Sequence, residues 1–323
     1  MRVRSFSHPM HGVAGMNDKT RGTVEMTTAM TISGTIGWFV VRSGQPVMDV
    51  VFWRCLFGAL TLLAVCAGLG LLRGAITWKR AGIAALGGVA IVINWLLLFA
   101  AYPRASISIA TAVYNTQPFM LVGLGALFLS ERLTAAKLTW LAIAFVGVVL
   151  IVQVGPAAAS GTDYLMGIAL ALGAAFAYAV AAIITKKLAG TPPHLIALIQ
   201  VCVGVLMLAP LANLSHPPAD AHTWVLLVTV GVVHTGLMYI LLYGAIQRLP
   251  THLTGSLSFI YPIVAIAVDI LAFGHRLQLA QFLGAGAILL AAAGMNLGWS
   301  PYWWLRRWLR RWLRPGADSA AVK

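Results

Sequence analysis

Three ionisable side chains lie inside long apolar stretches, where a charge is costly unless it has a partner or a function. Arg54 follows VVFW near one end of such a stretch; its guanidinium could grip a carboxylate with two hydrogen bonds, or bond structurally to Asp49. Asp269 could take up and release a proton, or pair with Arg276 two helical turns later. His234 could titrate near neutral pH or link two helices as a neutral ring. Each residue is therefore a candidate for substrate binding or proton coupling, with a structural role as the alternative.

Uncharged polar residues gather just before a proline in another apolar stretch, YNTQP. Proline has no N–H group, so Pro118 opens its helix locally and leaves carbonyl groups for a ligand or water. Pro262 lies 144 residues later, in SFIYP. Two matched helix interruptions point to a binding site between them, although they could also only shape the packing. The polar candidates for that site are Asn94, Tyr114, Asn115 and Gln117.

The composition excludes a water-soluble fold. Of the 323 residues, 60% are hydrophobic and 9% are charged, and the mean hydropathy is +0.88, whereas a soluble domain is about half apolar and a quarter charged. Apolar runs of about 20 residues recur, and each can cross a ~30 Å hydrocarbon core as a helix. We therefore predict an all-α integral membrane protein with ten transmembrane helices. The predicted spans are 25–43, 49–72, 81–102, 105–129, 134–154, 164–185, 193–213, 223–245, 252–273 and 278–298.

The net charge of +14 is concentrated in loops and tails, where it fits membrane topology better than nucleic-acid binding. With a cytoplasmic N-terminus, the cytoplasmic loops and tails hold eighteen Lys and Arg residues, and the opposite loops hold three. This bias predicts that both termini are cytoplasmic. We expect the first span to remain as an anchor, since no small-residue cleavage site follows it, and the natural start could be Met16.

The sequence contains two related halves. FLSERLTAAKLTWLAIAFVG resembles AFGHRLQLAQFLGAGAILLA at an offset of 144 residues, which also aligns Arg104 with Arg248. Five spans per half is an odd number, so the second half is inverted relative to the first. We predict a cytoplasmic tail that is a candidate for disorder at 1–24, a first repeat at 25–154, a linker at 155–163, a second repeat at 164–298 and a cytoplasmic tail at 299–323.

The stretch NTQPFMLVGLGALFLSERLTAAKLTWLAIAFVGVVLIV resembles the proline-containing helix, Glu-Arg turn and closing helix of EamA-type proteins in the drug/metabolite transporter superfamily. VVFWRCLFGALTLL resembles that family's arginine near the start of the second helix. The resemblance covers roughly residues 26–298. It implies ten helices in two inverted five-helix repeats, a bacterial inner-membrane location, and export of amino acids or related metabolites. The second repeat has Gly274, His275 and Arg276 where the family commonly has Gly-Glu-Arg, so no role of that acidic position is carried over.

Aromatic residues could stack on a substrate, although most aromatic residues in a helix bundle pack or anchor at the interface. The resemblance favours Trp38 and Tyr178, because the family's cavity uses the first and sixth helices, and Tyr239 is a further candidate. The predicted substrate-binding set is Arg54, Trp38, Asn94, Tyr114, Asn115, Gln117, Tyr178, His234 and Tyr239. Pro118 and Pro262 are the predicted helix breaks, and Asp269 is the candidate for proton coupling.

The segment SPYWWLRRWLRRWLRPG near the C-terminus predicts an amphipathic helix. Its Trp and Leu residues fill one half of the helical surface, and its Arg residues fill the other. This pattern is typical of a helix that lies on anionic lipid at the cytoplasmic face, and it fits an RNA-binding tail less well.

These patterns favour a secondary transporter for a small molecule that works by alternating access, either proton-coupled or facilitated. The motifs GxxxxGK[ST], HExxH and GxSxG do not occur in the sequence, and we predict no catalytic residue, cofactor or metal site. Export of amino acids or related small polar metabolites is the leading interpretation, on the strength of the resemblance. An uptake permease for a vitamin or nucleoside-like solute and a non-transporting membrane scaffold are the alternatives. Both a monomer and a homodimer are compatible with the sequence.

Overall fold

The computed structural model describes residues 18–72, 76–129, 134–153, 161–188, 190–249, 257–258, 260–275, 277–300 and 302. All regular secondary structure within these ranges is helical, which confirms the predicted all-α fold. Arg276, most of the N-terminal tail and the amphipathic C-terminal segment, all of which entered the sequence predictions, lie outside the described residues.

The helices form ten spans in the described part of the chain. They are α1 (Asp18–Arg42), α2 (Val47–Gly68), α3 (Trp78–Ala105), α4 (Ile107–Tyr114), α5 (Gln117–Leu129), α6 (Ala135–Gln153), α7 (Gly161–Lys186), α8 (Pro193–Leu208), α9 (Ala221–Gly231), α10 (Met238–Arg248), α11 (Ile260–Phe273) and α12 (Leu279–Asn296). A two-residue break separates α4 from α5 within the fourth span. A π-helical segment, Val232–Leu237, joins α9 to α10 in the eighth.

Four helical stretches are long and apolar enough, by length and composition alone, to cross a membrane. They are Val47–Gly68, Trp78–Ala105, Thr162–Thr185 and Ala221–Leu242. Large apolar side chains stand on the outer surface of the bundle, and Leu206 and Leu271 are 76% and 85% exposed. A surface of this kind suits hydrocarbon as its solvent, because lipid tails are as apolar as leucine.

The first helix starts earlier than the sequence predicted. α1 begins at Asp18, whereas the predicted span begins at residue 25, so residues 18–24 are helical and do not belong to a disordered tail. The predicted span began later because the charged residues in this segment lower its hydropathy. They do not end the helix, because Arg21 and Glu25 pair across one helical turn, with Nε and Oε1 3.0 Å apart.

The contacts between helices repeat when the two halves exchange places. α3 packs against α7 and α8, and the rod formed by α9, the π-helical segment and α10 packs correspondingly against α1 and α2. α1 contacts α11, just as α7 contacts α4 and α5. The pairs α2–α8 and α6–α12 are each formed by corresponding helices of the two halves. This is the arrangement of two inverted five-helix repeats.

Two ion pairs at opposite ends of the bundle follow the same symmetry. Arg104 at the end of α3 has Nε 3.2 Å from Oδ1 of Asp163 in α7. Its repeat mate Arg248, at the end of α10, has Nη1 3.0 Å from Oε2 of Glu25 in α1. Each arginine also donates to the carbonyl four residues earlier in its own helix, at 2.7 and 2.8 Å. Each therefore ties one repeat to the first helix of the other.

The closing helices of the two repeats cross at a pair of glycines. A Cβ atom on Gly147 would lie 2.6 Å from the carbonyl oxygen of Gly284, and a Cβ atom on Gly284 would lie equally close to the carbonyl oxygen of Gly147. Only glycine allows two helix backbones to approach this closely, so α6 and α12 pack backbone to backbone.

Candidate functional site

A cavity of about 650 Å³ lies between the two halves. On α1 its lining runs from Met26 and Met30, in the first half of that helix, to Ser33 and Ile36, just past the midpoint. On α7 the lining includes Ala181 and Thr185, near the end of that helix. Since α1 and α7 run in opposite directions, the two methionines and both α7 residues lie towards the side of the bundle at which α1 begins. The cavity therefore reaches from the middle of the bundle towards that side.

The cavity brings together eight of the nine residues that the sequence nominated for substrate binding. They are Arg54, Asn94, Tyr114, Asn115, Gln117, Tyr178, His234 and Tyr239. Arg54 is the sole Arg, Lys, Asp or Glu among the described lining residues. The remaining polar surface is built from hydroxyl, amide and imidazole groups, so a charge on a ligand here would meet one fixed positive group.

Arg54 is 4% exposed, and the described residues offer it no acidic partner. Its Nε donates a 3.0 Å hydrogen bond to the hydroxyl of Thr235, and this is its sole hydrogen bond to a described residue. The guanidinium carbon lies 4.0 Å from the centre of the Trp95 ring, which gives a close cation–π contact. The alternative partner Asp49 instead accepts a 2.8 Å hydrogen bond from the backbone N–H of Asn213. The terminal nitrogens of Arg54 are therefore available to an anionic ligand.

The π-helical segment positions the groups around Arg54. Its wider turn lets the Thr235 hydroxyl donate to the carbonyl of Val230, five residues earlier, at 3.2 Å. α2 passes close to the start of this segment, because a Cβ atom on Gly231, the last residue of α9, would lie 2.4 Å from Cβ of Phe57. The sequence analysis did not find this segment, since a π-turn has no hydropathy signature that distinguishes it from an α-turn.

His234 is 2% exposed and links two helices. Its Nδ1 lies 3.3 Å from the carbonyl oxygen of Thr229, and its Nε2 lies 3.0 Å from the hydroxyl of Thr35 in α1. Its ring also meets the edge of Phe39, with centroids 4.7 Å apart. The sequence allowed two roles for His234, titration near neutral pH or a link between two helices, and these contacts are those of a helix link. His234 also lines the cavity.

The break between α4 and α5 supplies the uncharged polar wall. Asn94 holds this wall from α3, because its Nδ2 donates to the carbonyl of Ala174 at 2.7 Å and to the Tyr114 hydroxyl at 3.2 Å. The Nδ2 atom of Asn115 donates to the carbonyl of Thr111 at 2.7 Å. The buried Oε1 of Gln117 has no hydrogen-bond partner among the described residues, so it is available to a donor on a ligand.

The two prolines lie at comparable places in the repeats. Pro118 is the second residue of α5, directly after the break, and Pro262 is the third residue of α11 and is buried. Phe259 and the segment 250–256 are outside the described residues, so a matching break before α11 stays a prediction.

Two of the aromatic candidates line the cavity and one does not. Tyr178 is 38% exposed and meets Tyr114 edge-on, with centroids 6.1 Å apart, and Tyr239 also lines the cavity. Trp38 is not among the lining residues; it is half-buried and packs edge-on against Phe39. The lining face of α1 follows residues 26, 30 and 33, which leads to Gly37, and Trp38 is rotated by 100° from that position.

The sequence analysis missed further residues that line this cavity. Gln200 in α8, Tyr261 in α11 and Phe99 in α3 also line the cavity. Gln200 is a polar residue inside an otherwise apolar span, so its type could have identified it. Phe99 could not be distinguished from the many packing aromatics without its spatial neighbours.

Asp269 lies outside this cavity. It is fully buried, its Oδ2 accepts a 3.0 Å hydrogen bond from the backbone N–H of Ser108, and its Oδ1 is 2.9 Å from Nδ1 of His275. The expected partner Arg276 is outside the described residues, and α11 ends at Phe273 rather than continuing to it. Gly274, with φ of 69°, turns the chain so that His275 folds back towards the preceding helical turn.

Comparison with known proteins identifies relatives over most of the chain. The family model described as EamA-like transporter family matches residues 22–153 and 165–297. YxxF, an uncharacterized transporter of Bacillus subtilis (strain 168), is 30% identical over 281 residues, which cover 86% of this chain and 89% of that protein. The threonine/homoserine exporter RhtA of Escherichia coli (strain K12) is 30% identical over 206 residues, which cover 62% of this chain and 66% of that protein.

A further relative and a solved structure are also similar to this chain. A probable amino-acid metabolite efflux pump of Salmonella typhimurium (strain LT2) is 28% identical over 198 residues, 57% of this chain and 64% of that protein. A protein of known crystal structure has the same fold, with a TM-score of 0.60 and 17% identity, over 88% of this chain and 99% of that one. With a family match on each of its two halves, this chain belongs to the EamA-like transporter family and is a membrane transporter.

Proposed function

We propose that this transporter exports amino acids or related small polar metabolites that carry a carboxylate, and that the carboxylate binds Arg54. The observation that carries the proposal is a buried guanidinium on a cavity wall without an acidic partner among the described residues. A buried, unpaired charge is costly, so a bound anion would offset the cost in the loaded state. The names of two relatives, an exporter of threonine and homoserine and an amino-acid metabolite efflux pump, support the same substrate class.

A zwitterionic substrate also needs an acceptor for its ammonium group. The unpartnered Oε1 of Gln117 and the carbonyl groups at the α4–α5 break are such acceptors, and the lining holds no described carboxylate. Neutral acceptors suit a single ammonium group that stays close to its own carboxylate. We therefore expect this cavity to favour zwitterionic amino acids over those with a second positive charge.

In our proposal the protein works by alternating access in the bacterial inner membrane with both termini in the cytoplasm. The bias of Lys and Arg towards the loops and tails on one side supports that orientation. The cavity would then open towards the cytoplasm, where an exporter takes up its substrate. The inverted repeats supply two similar packing arrangements, between which such a protein can alternate.

The first experiment compares the growth media of bacteria that express the wild type, Arg54→Met or Arg42→Met at equal membrane levels, by untargeted mass spectrometry. Arg42 is an exposed arginine at the end of α1, so Arg42→Met controls for the loss of a positive charge. We expect an amino acid or a related metabolite to be enriched outside cells with the wild type and Arg42→Met only. Equal media in all three strains would contradict export and favour uptake or a scaffold role.

A binding experiment tests the carboxylate directly. The purified protein is titrated with L-homoserine and with homoserine lactone, which lacks the free carboxylate, and thermal stabilisation is measured. A hydrogen bond to a charged group contributes about 1.5–3 kcal/mol, so we expect the lactone to bind roughly tenfold to a hundredfold more weakly. Equal stabilisation by the two compounds, or by homoserine in wild type and Arg54→Met, would exclude Arg54 as the carboxylate anchor.

A further inference from the structure

A second cavity, of about 640 Å³, lies at the opposite end of the bundle. It is lined by Asp269 and His275, together with Tyr102, Arg104, Tyr164 and Gln281, and it shares no lining residue with the substrate cavity. His275 is 54% exposed, whereas Asp269 is fully buried behind it. Under the proposed topology this cavity is on the periplasmic side. His275 is thus the member of the pair that solvent in the cavity contacts, and it bonds the buried carboxylate directly.

The short helix α4 connects the two cavities. Its first turn donates the Ser108 N–H to Asp269, and the residues at its other end, Tyr114 and Asn115, line the substrate cavity. Its eight residues span about 12 Å, and all of them are buried. Because α4 is short and fully buried, we expect a movement of its first turn to displace the residues at its other end.

The start of α4 is held in an unfavourable conformation. Ser106, which precedes the helix, has φ of 69° and ψ of 159°, a backbone region that is essentially confined to glycine. It is the one non-glycine residue with positive φ in the described part of the chain. Strain of this kind persists only where the surroundings hold it. The Ser106 hydroxyl accepts a 3.3 Å hydrogen bond from the backbone N–H of Ile109, and the bond from the Ser108 N–H to the Asp269 carboxylate is a second restraint on the same turn.

We propose that Asp269 and His275 form a proton-binding site that is open to the periplasm, and that α4 transmits its protonation state to the substrate cavity. The inference rests on the proposed direction and topology, but the dyad and the helix can be tested without them.

The proton balance of the step is simple. Nε2 of His275 takes one proton from periplasmic water, the Nδ1–H bond of the same ring breaks, and an O–H bond forms at Oδ1 of Asp269 across 2.9 Å. The imidazole ends with as many protons as it had before, and the dyad as a whole gains one proton and one unit of positive charge. A neutral Asp269 no longer offers a charge to the positive N-terminus of α4, so the helix is held less firmly.

The other charged and titratable groups around Asp269 come from α3 and α7. Arg104 on α3 faces the cavity, but it is paired with Asp163 of α7. Tyr164 donates to the carbonyl of Ile151, and α1 contributes only the apolar Val41 to this lining. Tyr102 on α3 also lines the cavity, but among the described contacts it is His275 that bonds the Asp269 carboxylate directly and can pass it a proton.

Hydrogen–deuterium exchange of the full-length protein in nanodiscs tests the proposal. The protection of the amides in residues 106–116 is measured at about pH 8 and about pH 5, after correction for intrinsic exchange. We expect roughly tenfold lower protection at the acidic pH in the wild type, because the charged bond to α4 is lost. Asp269→Asn should have the lower protection at both pH values.

Asp220→Asn is the matched control. Asp220 caps α9 by accepting a 2.7 Å hydrogen bond from the N–H of Thr223, which lowers the pKa of this exposed carboxyl. Asp220 lies on the same side of the bundle as Asp269, but no residue of α9 lines the second cavity. In this variant α4 should respond to pH as in the wild type. An unchanged α4 in the wild type, or a wild-type response in Asp269→Asn, would overturn the proposal.

Two further measurements keep the test decisive. If Asp269→Asn does not fold, His275→Gln replaces it, and the pH at which α4 loses protection should move by about one unit or more. Loss of protection at the wild-type pH would refute the transfer of a proton through His275.

L-Homoserine binding is measured in parallel at both pH values. A lack of homoserine binding to the wild type would remove the proposed substrate class, while the exchange data would still decide whether α4 reports the proton.

Discussion

Gly231→Ala should displace the helix that carries Arg54. The added Cβ atom would lie 2.4 Å from Cβ of Phe57 and 3.2 Å from the carbonyl oxygen of Arg54 itself. An ordinary contact starts at about 3.4 Å, so α2 and the end of α9 must separate by about 1 Å. Neither atom can avoid the clash by rotating a side chain, because both are fixed to the α2 backbone.

Two effects of that displacement can be measured. Overpacking of this kind costs about 1–3 kcal/mol, which should lower the apparent Tm of the purified protein, followed by tryptophan fluorescence. A shift of about 1 Å also misplaces the guanidinium relative to the polar wall, so L-homoserine should bind roughly tenfold to a hundredfold more weakly. Gly286→Ala is the control, because no atom lies within 4 Å of its Cβ position. The reasoning fails if Gly231→Ala matches Gly286→Ala in both Tm and affinity.

Three further predictions concern the contacts that hold the repeats together. A double-mutant cycle with Glu25→Gln and Arg248→Gln should give a coupling energy of about 0.5–1 kcal/mol in thermal unfolding, since the pair is partly shielded, and no coupling would remove it as an interrepeat tie. Gly147→Ala should destabilise by about 1–3 kcal/mol, because its Cβ atom meets a backbone carbonyl; a neutral effect would contradict the close crossing. Asn94→Leu should cost about 0.5–1.5 kcal/mol for each hydrogen bond that its amide donates, to the carbonyl of Ala174 and to the Tyr114 hydroxyl, and an unchanged Tm would show that these bonds do not hold α3 against α7.

The symmetry of the fold was visible in the sequence only in part. The constant offset aligned Arg104 with Arg248, but it did not reveal what either residue binds. In the structure both arginines perform the same task at opposite ends of the bundle. Their acidic partners, Asp163 and Glu25, could not be matched in advance, because the first helices of the two repeats align poorly in sequence.

The sequence also identified only some of the residues that line the candidate site. Arg54 could be nominated from its type and position, since a charge inside an apolar span must face protein or water rather than lipid. Trp38 was assigned by family resemblance, and it lies off the lining face because a single residue rotates the helix by 100°. Residue type thus identified the polar lining better than it identified the aromatic lining.

The sequence by itself determined the class of fold, the number of spans and their inverted pairing, because hydrocarbon forces each span to be apolar and to satisfy its own hydrogen bonds. Only the tertiary structure decided the partners: Thr235 for Arg54, 181 residues away, and Ser108 for Asp269, 161 residues away. It also decided that α4 joins the two cavities. Partners so distant in the chain depend on how helices rotate and cross, and those angles follow from the packing of all the spans together.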